Sequence, residues 1–300
     1  MKKVSLAALI CSLFFACKNE PERILIKLNK GQQYEQHLLL KSTITQTISG
    51  KKRSTSTTST GVNLYEVLAV QDSIYTFQVT YKSMKVQIEA DGSPAAQTTN
   101  PAMFVLEKLK GQAYQMKISN TGRIVAVTGA DSLFSRVAGS LSGLNEEMKQ
   151  SLIKSFITAY GDSAIKSGSL QYANVYPQQA VKEGDSWNVH RPGGGNMLSP
   201  KVDAVYKVDQ ISSREYLIGM QSKLSLGTAA KDSPVFGLTM SGTMDSRNKI
   251  DRETGLLVES KIKQQMTGYA KILTSTSAMV GDSILMDIKG ETTLTNTLIK

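Results

Sequence analysis

Few side chains in this sequence have the types and spacing that chemistry requires. The two histidines, His37 and His190, stand far apart, and neither belongs to an H-x-x-x-H or H-x-E pattern. A zinc site or metalloprotease helix therefore has no ligand set to start from. His190 abuts Arg191-Pro192-Gly193-Gly194-Gly195 and is expected at a strand end or beside a pocket. Gly139-Ser140-Leu141-Ser142-Gly143 has the outline of a nucleophile elbow, but Leu141 occupies the serine position and the motif fails. Gly50-Lys51-Lys52 lacks the upstream glycine and the following Ser or Thr of a phosphate loop, and Gly193–Gly195 lacks a strand-to-helix context. Glu107 with Glu253, or Asp251 with Glu253, would supply the paired carboxylates of a glycosidase. Asp251-Arg252-Glu253-Thr254-Gly255 is explained more simply as a charged β-turn. The expectation is a protein with no catalytic residue, metal ligand or cofactor, and so not an enzyme.

One dipeptide is over-used. Asp-Ser occurs at Asp72, Asp131, Asp162, Asp185, Asp232, Asp245 and Asp282. Both side chains bond nearby backbone N–H groups, so the pair marks turns and helix starts. Four copies, those followed by Ile74, Leu133, Ala164 and Ile284, resemble the Asp-Ser/Thr-apolar O-glycosylation sequon of Bacteroidota envelope proteins. That resemblance implies modification at Ser73, Ser132, Ser163 and Ser283.

The N-terminus speaks to location. Lys2 and Lys3 precede an uncharged stretch, Val4 to Ala16, followed abruptly by Lys18-Asn19-Glu20-Pro21-Glu22. A membrane-spanning helix needs about 20 apolar residues, so this stretch is too short for an anchor. It has the form of a secretory signal. Leu13, Ala16 and Cys17 resemble the lipobox of bacterial lipoproteins, with Phe15 a departure where a small residue is commoner. The resemblance implies cleavage after Ala16 and acylation of Cys17, which becomes the new N-terminus. Cys11 is then discarded, and the odd cysteine left in the mature chain is accounted for by its thioether. Lys18 stands where the well-studied sorting system reads Asp for inner-membrane retention, so the outer membrane is expected, with either the periplasmic or the surface face open. Trimming removes Lys2 and Lys3 and lowers the formal net charge from +10 to +8. This charge suits either plain solubility or an anionic membrane surface, and nothing points to nucleic acid.

The rest of the pattern is mostly β. Ile24, Ile26 and Leu28 alternate with polar residues and predict a first strand within the tether, 17–30. Alternation resumes at His37 to Ile48, followed by a Ser/Thr-rich stretch with Lys51-Lys52-Arg53 that is expected to form a hairpin. Gln71-Asp72-Ser73 and Asn120-Thr121-Gly122 are turns, and residues 91–101 form a loop. From Asp131 the period changes: Leu133, Val137, Leu141, Leu144, Met148, Leu152, Phe156 and Tyr160 recur at three to four residues. This predicts helices near 131–139 and 145–160, the second capped by Asn145 and stopped by Gly161. Strand pattern returns at Trp187 and continues in runs at 202–211, 215–226, 236–251, 256–274 and 283–298. Their alternation of Lys, Gln and Thr with Ile, Met, Val and Leu implies one wet face and one packed face.

The chain is expected to divide into a signal peptide (1–16), a lipidated tether with first strand (17–30), a first β half (31–129), a helical insert (130–170) and a second β half (171–300). Gly31-x-x-Tyr34 is answered by Gly184-x-x-Trp187, and Thr121-Gly122 by Thr254-Gly255. Either duplication or convergent hairpin chemistry would give this correspondence. The expected fold is mainly β, with two curved antiparallel sheets or half-barrels, pseudo-duplicated or not, around a short helical segment near 131–160.

Ala180-Val-Lys-Glu-Gly-Asp-Ser-Trp187 after Tyr176-Pro177, the Asp251–Leu256 turn and the lipobox together resemble an uncharacterised family of Bacteroidota envelope lipoproteins. The resemblance implies compartment and architecture only. The leading functional expectation is non-catalytic binding of an apolar or amphiphilic ligand, or of an envelope protein partner. It rests on β architecture, the anchor and 12 Met, which adapt to varied apolar guests. The alternative is a structural or assembly subunit of an outer-membrane complex; a glycan or lipid hydrolase comes third.

Overall fold

A computed structural model of the chain describes residues 20–94, 101–168, 175–193, 200–227, 236–272 and 283–299. Residues 1–19, with the stretch expected to be a signal peptide and Cys17, lie outside the described residues. In chain order the elements are β1 (Gln33–Ile48), β2 (Lys51–Gln71), β3 (Ile74–Ala90), the two-residue β4 (Ser93–Pro94), α1 (Pro101–Lys108), β5 (Ala113–Ser119), β6 (Ile124–Thr128), α2 (Ala130–Gly139), α3 (Glu146–Tyr160), α4 (Asp162–Gly168), β7 (Ser186–Arg191), β8 (Lys201–Ile211), β9 (Glu215–Gly227), β10 (Phe236–Asp251), β11 (Leu257–Ile272) and β12 (Ser283–Leu298).

The protein is mainly β, as the alternation predicts, but there is one sheet where two were expected. Its order is β6-β5-β3-β2-β1-β12-β11-β10-β9-β8-β7, antiparallel throughout, with β4 added to β3. The halves fuse because β1 pairs with β12 from Tyr34↔Leu298 to Thr47↔Leu285. With both long edges satisfied in that seam, neither half keeps a free edge at the centre.

Side chains sort by the pleat. Cross-strand partners lie on the same face, so the register places Leu40, Thr292, Ile262, Ser246, Met220, Tyr206 and Trp187 in one row on one face. The opposite face carries the row Lys41, Glu291, Lys263 and Asp245. There Lys263 Nζ lies 3.7 Å from Glu291, and Glu259 takes Lys261 at 3.0 Å and Lys249 at 3.4 Å. The Lys261 ammonium, followed by Lys249, holds the Glu259 carboxyl below its ordinary range. This is the wet face. β8 shows the rule in one strand: Val202, Ala204, Tyr206 and Val208 are buried, while Lys201, Asp203, Val205 and Lys207 are exposed.

The apolar face is concave. A curled sheet brings backbone close to backbone, and Gly242 on β10 and Gly268 on β11 stand at such points. A Cβ on Gly242 would overlap the Gln265 carbonyl, and one on Gly268 the Thr239 carbonyl. The tightest curl is at the end bearing the β2–β3, β5–β6 and β10–β11 turns. Along the sheet the last two turns are six strand spacings apart, roughly 29 Å. Yet Ile26 N–H donates to Asn120 O at 2.7 Å and the adjacent Lys27 N–H to Thr254 O at 2.7 Å. Neighbouring residues are about 3.8 Å apart, so the sheet is drawn together there into the closed end of a half-barrel.

Residues 22–30 form the strap that draws it. The predicted first strand is not one. Ile24, Ile26 and Leu28 are buried, but between Glu22 and Lys30 the one strand-type pairing is an isolated bridge from Glu22 to Val181. The apolar side chains alternate inward as in a strand, while the backbone bonds go to turns rather than to a neighbouring strand. Tyr75 OH donates to Ile26 O at 2.7 Å, Tyr176 OH to Gly255 O at 2.9 Å, and Tyr216 OH to Glu22 Oε2 at 2.9 Å. Arg252 Nη2 clasps both oxygens of Glu22, at 3.0 and 3.2 Å.

The helices cover the concave side near β3, β5 and β6. α2 and α3 form where the three-to-four-residue period predicts, and Asn145 Oδ1 accepts from Met148 N–H at 2.8 Å. Asp131 and Asp162 cap reciprocally: Asp131 Oδ1 accepts from Asp162 N–H and Asp162 Oδ1 from Ala130 N–H, both at 2.8 Å. Thus two Asp-Ser pairs do mark helix starts. α1 begins inside the stretch expected to be loop, with Val105 and Leu109 buried. The short run Met103–Leu109 is too brief for periodicity to separate helix from strand.

Candidate functional site

The concave face divides along its length. At the closed end it is solid: Tyr34, Tyr65, Val67, Tyr75, Phe77, Val79 and Met116 are buried with the strap against them. Tyr34 stacks on Tyr65 at 4.6 Å, and Phe77 meets both rings edge-on at 5.9 and 6.2 Å. Burial holds the phenols of Tyr34, Tyr81, Tyr114 and Tyr176 well above their ordinary pKa, and that of Tyr206 at about 12.

Above this core lies a polar belt. Tyr65 OH donates to Gln36 Oε1 at 3.2 Å, Gln36 Nε2 to Asn296 Oδ1 at 3.2 Å, and Asn296 Nδ2 to Leu257 O at 2.6 Å. On β9–β11, Ser260 Oγ donates to Asn248 Oδ1 at 2.8 Å and Asn248 Nδ2 to Ser246 Oγ at 2.8 Å. Asn63, paired with Gln36 in register, keeps a buried Oδ1 with no partner among the described residues.

Beyond the belt the central strands stay open. Leu38 on β1, Met84 on β3, Ile262 and Ala270 on β11 and Met286 and Ile288 on β12 still pack against the core, whereas Leu40, Ile44 and Ile48 on β1, Val86 and Ile88 on β3 and Ile284 on β12 continue the same inward face, half-buried, beyond it. Small residues of β2 (Thr57, Ser59, Gly61) lie between them. The wall from Leu38 to Ile48 is eleven residues long and spans roughly 33 Å. On β8–β10 the same face is filled: Leu224, Leu226, Leu238, Met240 and Met244 are buried. Of the methionines on this face, Met220, Met240, Met244 and Met266 are buried in the core, while Met84 and Met286 are half-buried in the trough.

A second hollow lies at the β7 edge, a cavity of about 630 Å³ between that strand and residues 176–181, lined by Tyr176, Pro177, Trp187, Asn188 and Val189. Trp187 stacks on Tyr206 at 5.4 Å.

The residues singled out in the sequence do not converge. His37 and His190 both lie on the wet face, His37 against Glu35 at 2.9 Å and His190 against Asp203. The His190 bond, followed by Lys201, lowers the Asp203 pKa. Asp251 Oδ1 accepts from Thr254 N–H at 2.7 Å and Thr254 Oγ1 at 2.6 Å, which is the charged β-turn anticipated. Glu107 and Glu253 are exposed on α1 and in that turn. Leu141 is buried, as a core residue would be. Ser73, Ser132, Ser163 and Ser283 are all exposed: Ser73 in the β2–β3 turn, Ser132 and Ser163 in the first turns of α2 and α4, Ser283 at the start of β12. Among the described residues no cluster of three or more His, Cys, Asp or Glu is placed to hold a metal ion, and no helix is long and apolar enough to cross a membrane. Sequence reasoning missed the wall itself and Arg252, the clasp on the strap; the alternation of β1, β3 and β12 was the signal for the wall.

Fold and site define a single-sheet β half-barrel, closed by its own N-terminal strap at one end and apolar inside. The chain belongs to the DUF6263 family of unknown function, whose model matches residues 72–257. No curated protein matches it. Among solved structures, a lipovitellin structure concerned with lipid–protein interactions aligns at 9% identity and a TM-score of 0.49, covering 91% of this chain and 26% of that one. The chain thus spans about a quarter of the length of that relative. An outer membrane channel from Pseudomonas putida F1 aligns at 9% identity and a TM-score of 0.22, covering 91% and 98%. The translocator domain of the autotransporter NalP from Neisseria meningitidis aligns at 7% identity and a TM-score of 0.21, covering 89% of each chain.

Proposed function

We propose that this protein is a lipid-anchored envelope protein, tied through Cys17 to the outer membrane, whose trough binds an apolar or amphiphilic molecule without catalysis. The carrying observation is the partly exposed apolar wall of β1, β3 and β12, which continues straight out of a packed core on a sheet whose other face is charged. A face that only had to be soluble would end its apolar run where packing ends. Here Leu40, Ile44, Ile48, Val86 and Ile88 go on without a packed layer of core residues over them. Methionine in the lining suits guests of varied shape.

Two measurements test it. The mature chain (residues 17–300) carrying Cys17→Ala should take up the uncharged probe N-phenyl-1-naphthylamine, and Ile44→Glu or Ile88→Glu should abolish uptake while the fold stays intact by circular dichroism. Undiminished uptake in both variants would remove the trough from the account. Intact-mass analysis of natively expressed protein should show an acylated Cys17 as first residue; a retained initiator Met would remove the anchor.

A second reading, an assembly subunit of an outer-membrane complex, is favoured by the β7 edge. Among the described residues β7 is the last strand of the sheet and pairs only with β8, and its outer edge is one that another chain could extend. Co-purification of a barrel protein that is lost in Asn188→Pro would favour it.

A further inference from the structure

Charge on the two faces of the sheet is distributed very differently. The wet face mixes signs: Glu35, Lys41, Lys85, Glu89, Asp245, Lys263, Asp287 and Glu291 all lie on it. If charge served solubility alone, the few charges on the concave face should be mixed as well. They are not. Among the described strand residues of the concave face the only charged ones are Lys51, Arg53 and Arg191; no carboxylate lies there.

All three stand at the open end. Lys51 pairs in register with Ile48 and Arg53 with Gln46, at the rim of the half-exposed wall. Arg191 is the last residue of β7, paired with Val202. None of the three forms an ion pair among the described residues. Arg191 is half-buried, and loss of hydration lowers its pKa, so its charge is one that an approaching anion would stabilise.

We propose that the ligand of the trough is an amphiphile with an anionic head, its hydrocarbon along β1, β3 and β12 and its head at Lys51 and Arg53. This rests on the reading of the trough as a binding site and names its ligand class. The dimensions agree. The wall from Leu38 to Ile48 is roughly 33 Å long, against about 15 Å for the hydrocarbon of one bilayer leaflet, so a lipid-length chain lies within it with its head at the rim. A carboxylate and a phosphate fit equally well, since Arg binds either through paired N–H donors and Lys meets either as a point charge. An apolar wall alone would accept an alcohol as readily as an acid. The rim is what discriminates.

The test is displacement of N-phenyl-1-naphthylamine from the same mature chain by four ligands of one chain length, each below its micelle-forming concentration: hexadecanoic acid, hexadecyl phosphate, hexadecan-1-ol and hexadecyltrimethylammonium. The acid or the phosphate should displace the probe at about tenfold lower concentration than the alcohol, and the ammonium should be weakest. Which of the two anions leads distinguishes a fatty acid from a phospholipid-type head. The double variant Lys51→Gln, Arg53→Gln should bind the probe as before and lose the preference. Equal displacement by acid, phosphate and alcohol, or a preference that survives in the double variant, overturns the anionic head and leaves the apolar site standing. Failure of the unmodified chain to bind the probe at all overturns both.

Discussion

In the meander formed by β1, β2, β3, β5 and β6, Gly31 N–H donates to Val67 O at 2.8 Å, Val67 N–H to Gln32 O at 2.9 Å, and Tyr34 stacks on Tyr65. In the meander β7–β11, Gly184 N–H donates to Val208 O at 2.9 Å, Val208 N–H to Asp185 O at 2.9 Å, and Trp187 stacks on Tyr206. Both glycines have φ near +90° (87° and 90°), a conformation that costs a side chain dearly. Register shifts follow at Val67/Ala69 and Val208/Gln210, and the turns at Asn120 and Thr254 both accept from the strap. Around the sheet the two meanders run in the same direction, joined by β12. They diverge farther along. The second fills its open end with Leu224, Leu226, Leu238 and Met240, whereas the first leaves Ile44, Val86 and Ile88 half-exposed. The closed end is thus built alike in both meanders; the filling of the trough is independent of it.

The largest effect that could break this contrast is in the core. Phe77→Ala, at the closed end, should cost about 3–5 kcal/mol in urea denaturation, whereas Ile44→Ala on the open wall should cost about 1 kcal/mol or less. Equal losses would mean that the wall is packed like the core. Next, Gly255→Ala drives a Cβ into the Leu25 carbonyl at φ +64°, whereas a Cβ on Gly122 meets the movable ring of Tyr176 at φ +75°. Gly255→Ala should therefore destabilise by about 2–3 kcal/mol and more than Gly122→Ala, because backbone cannot yield as a ring can.

A pH titration sharpens the comparison of the aromatic pairs. Tyr206 has its folded-state pKa raised from 10 to about 12, and Tyr34 has its own raised too, by burial and then by Tyr65. A raised folded pKa means that the unfolded chain loses its proton first. The stabilisation is thus complete below pH 10 and is lost as pH climbs from 10 through 12. Thermal midpoints should fall over that window, by roughly 2 kcal/mol of stability for Tyr206, and Tyr206→Phe should flatten the fall. A midpoint unchanged up to pH 12 would contradict the burial of both pairs. The smallest effect belongs to the clasp: Arg252→Ala should cost about 0.5–1 kcal/mol, since Arg252 and Glu22 are 39% and 30% exposed and water screens the pair.

The strands were largely legible, since period-2 alternation in runs such as Lys201–Ile211 has no helical reading. So were α2 and α3, through a sustained stripe and the Asn145 cap. The strap was legible as alternating apolar residues and misread as a strand, because Ile24, Ile26 and Leu28 bury alternate side chains whichever backbone accepts their hydrogen bonds. The proposed site was hidden for a similar reason. Lys51 and Arg53 sit in a polar run of Ser and Thr that could be loop or strand, and which face they take depends on the β1–β2 register fixed by the Ser49-Gly50 turn.

Composition and periodicity by themselves determined a mainly β chain with one wet face, a helical segment after Asp131, and the turns that punctuate both. Only the tertiary structure decided that β1 would meet β12, making one sheet of two halves, and that the strap would draw the Asn120 and Thr254 turns together. The physical reason is range. A pleat or a helical stripe is written in residues a few positions apart, whereas strand order and curvature follow from contacts between segments more than 200 residues apart, such as Glu22 with Arg252. Their energies depend on geometry that no local pattern carries.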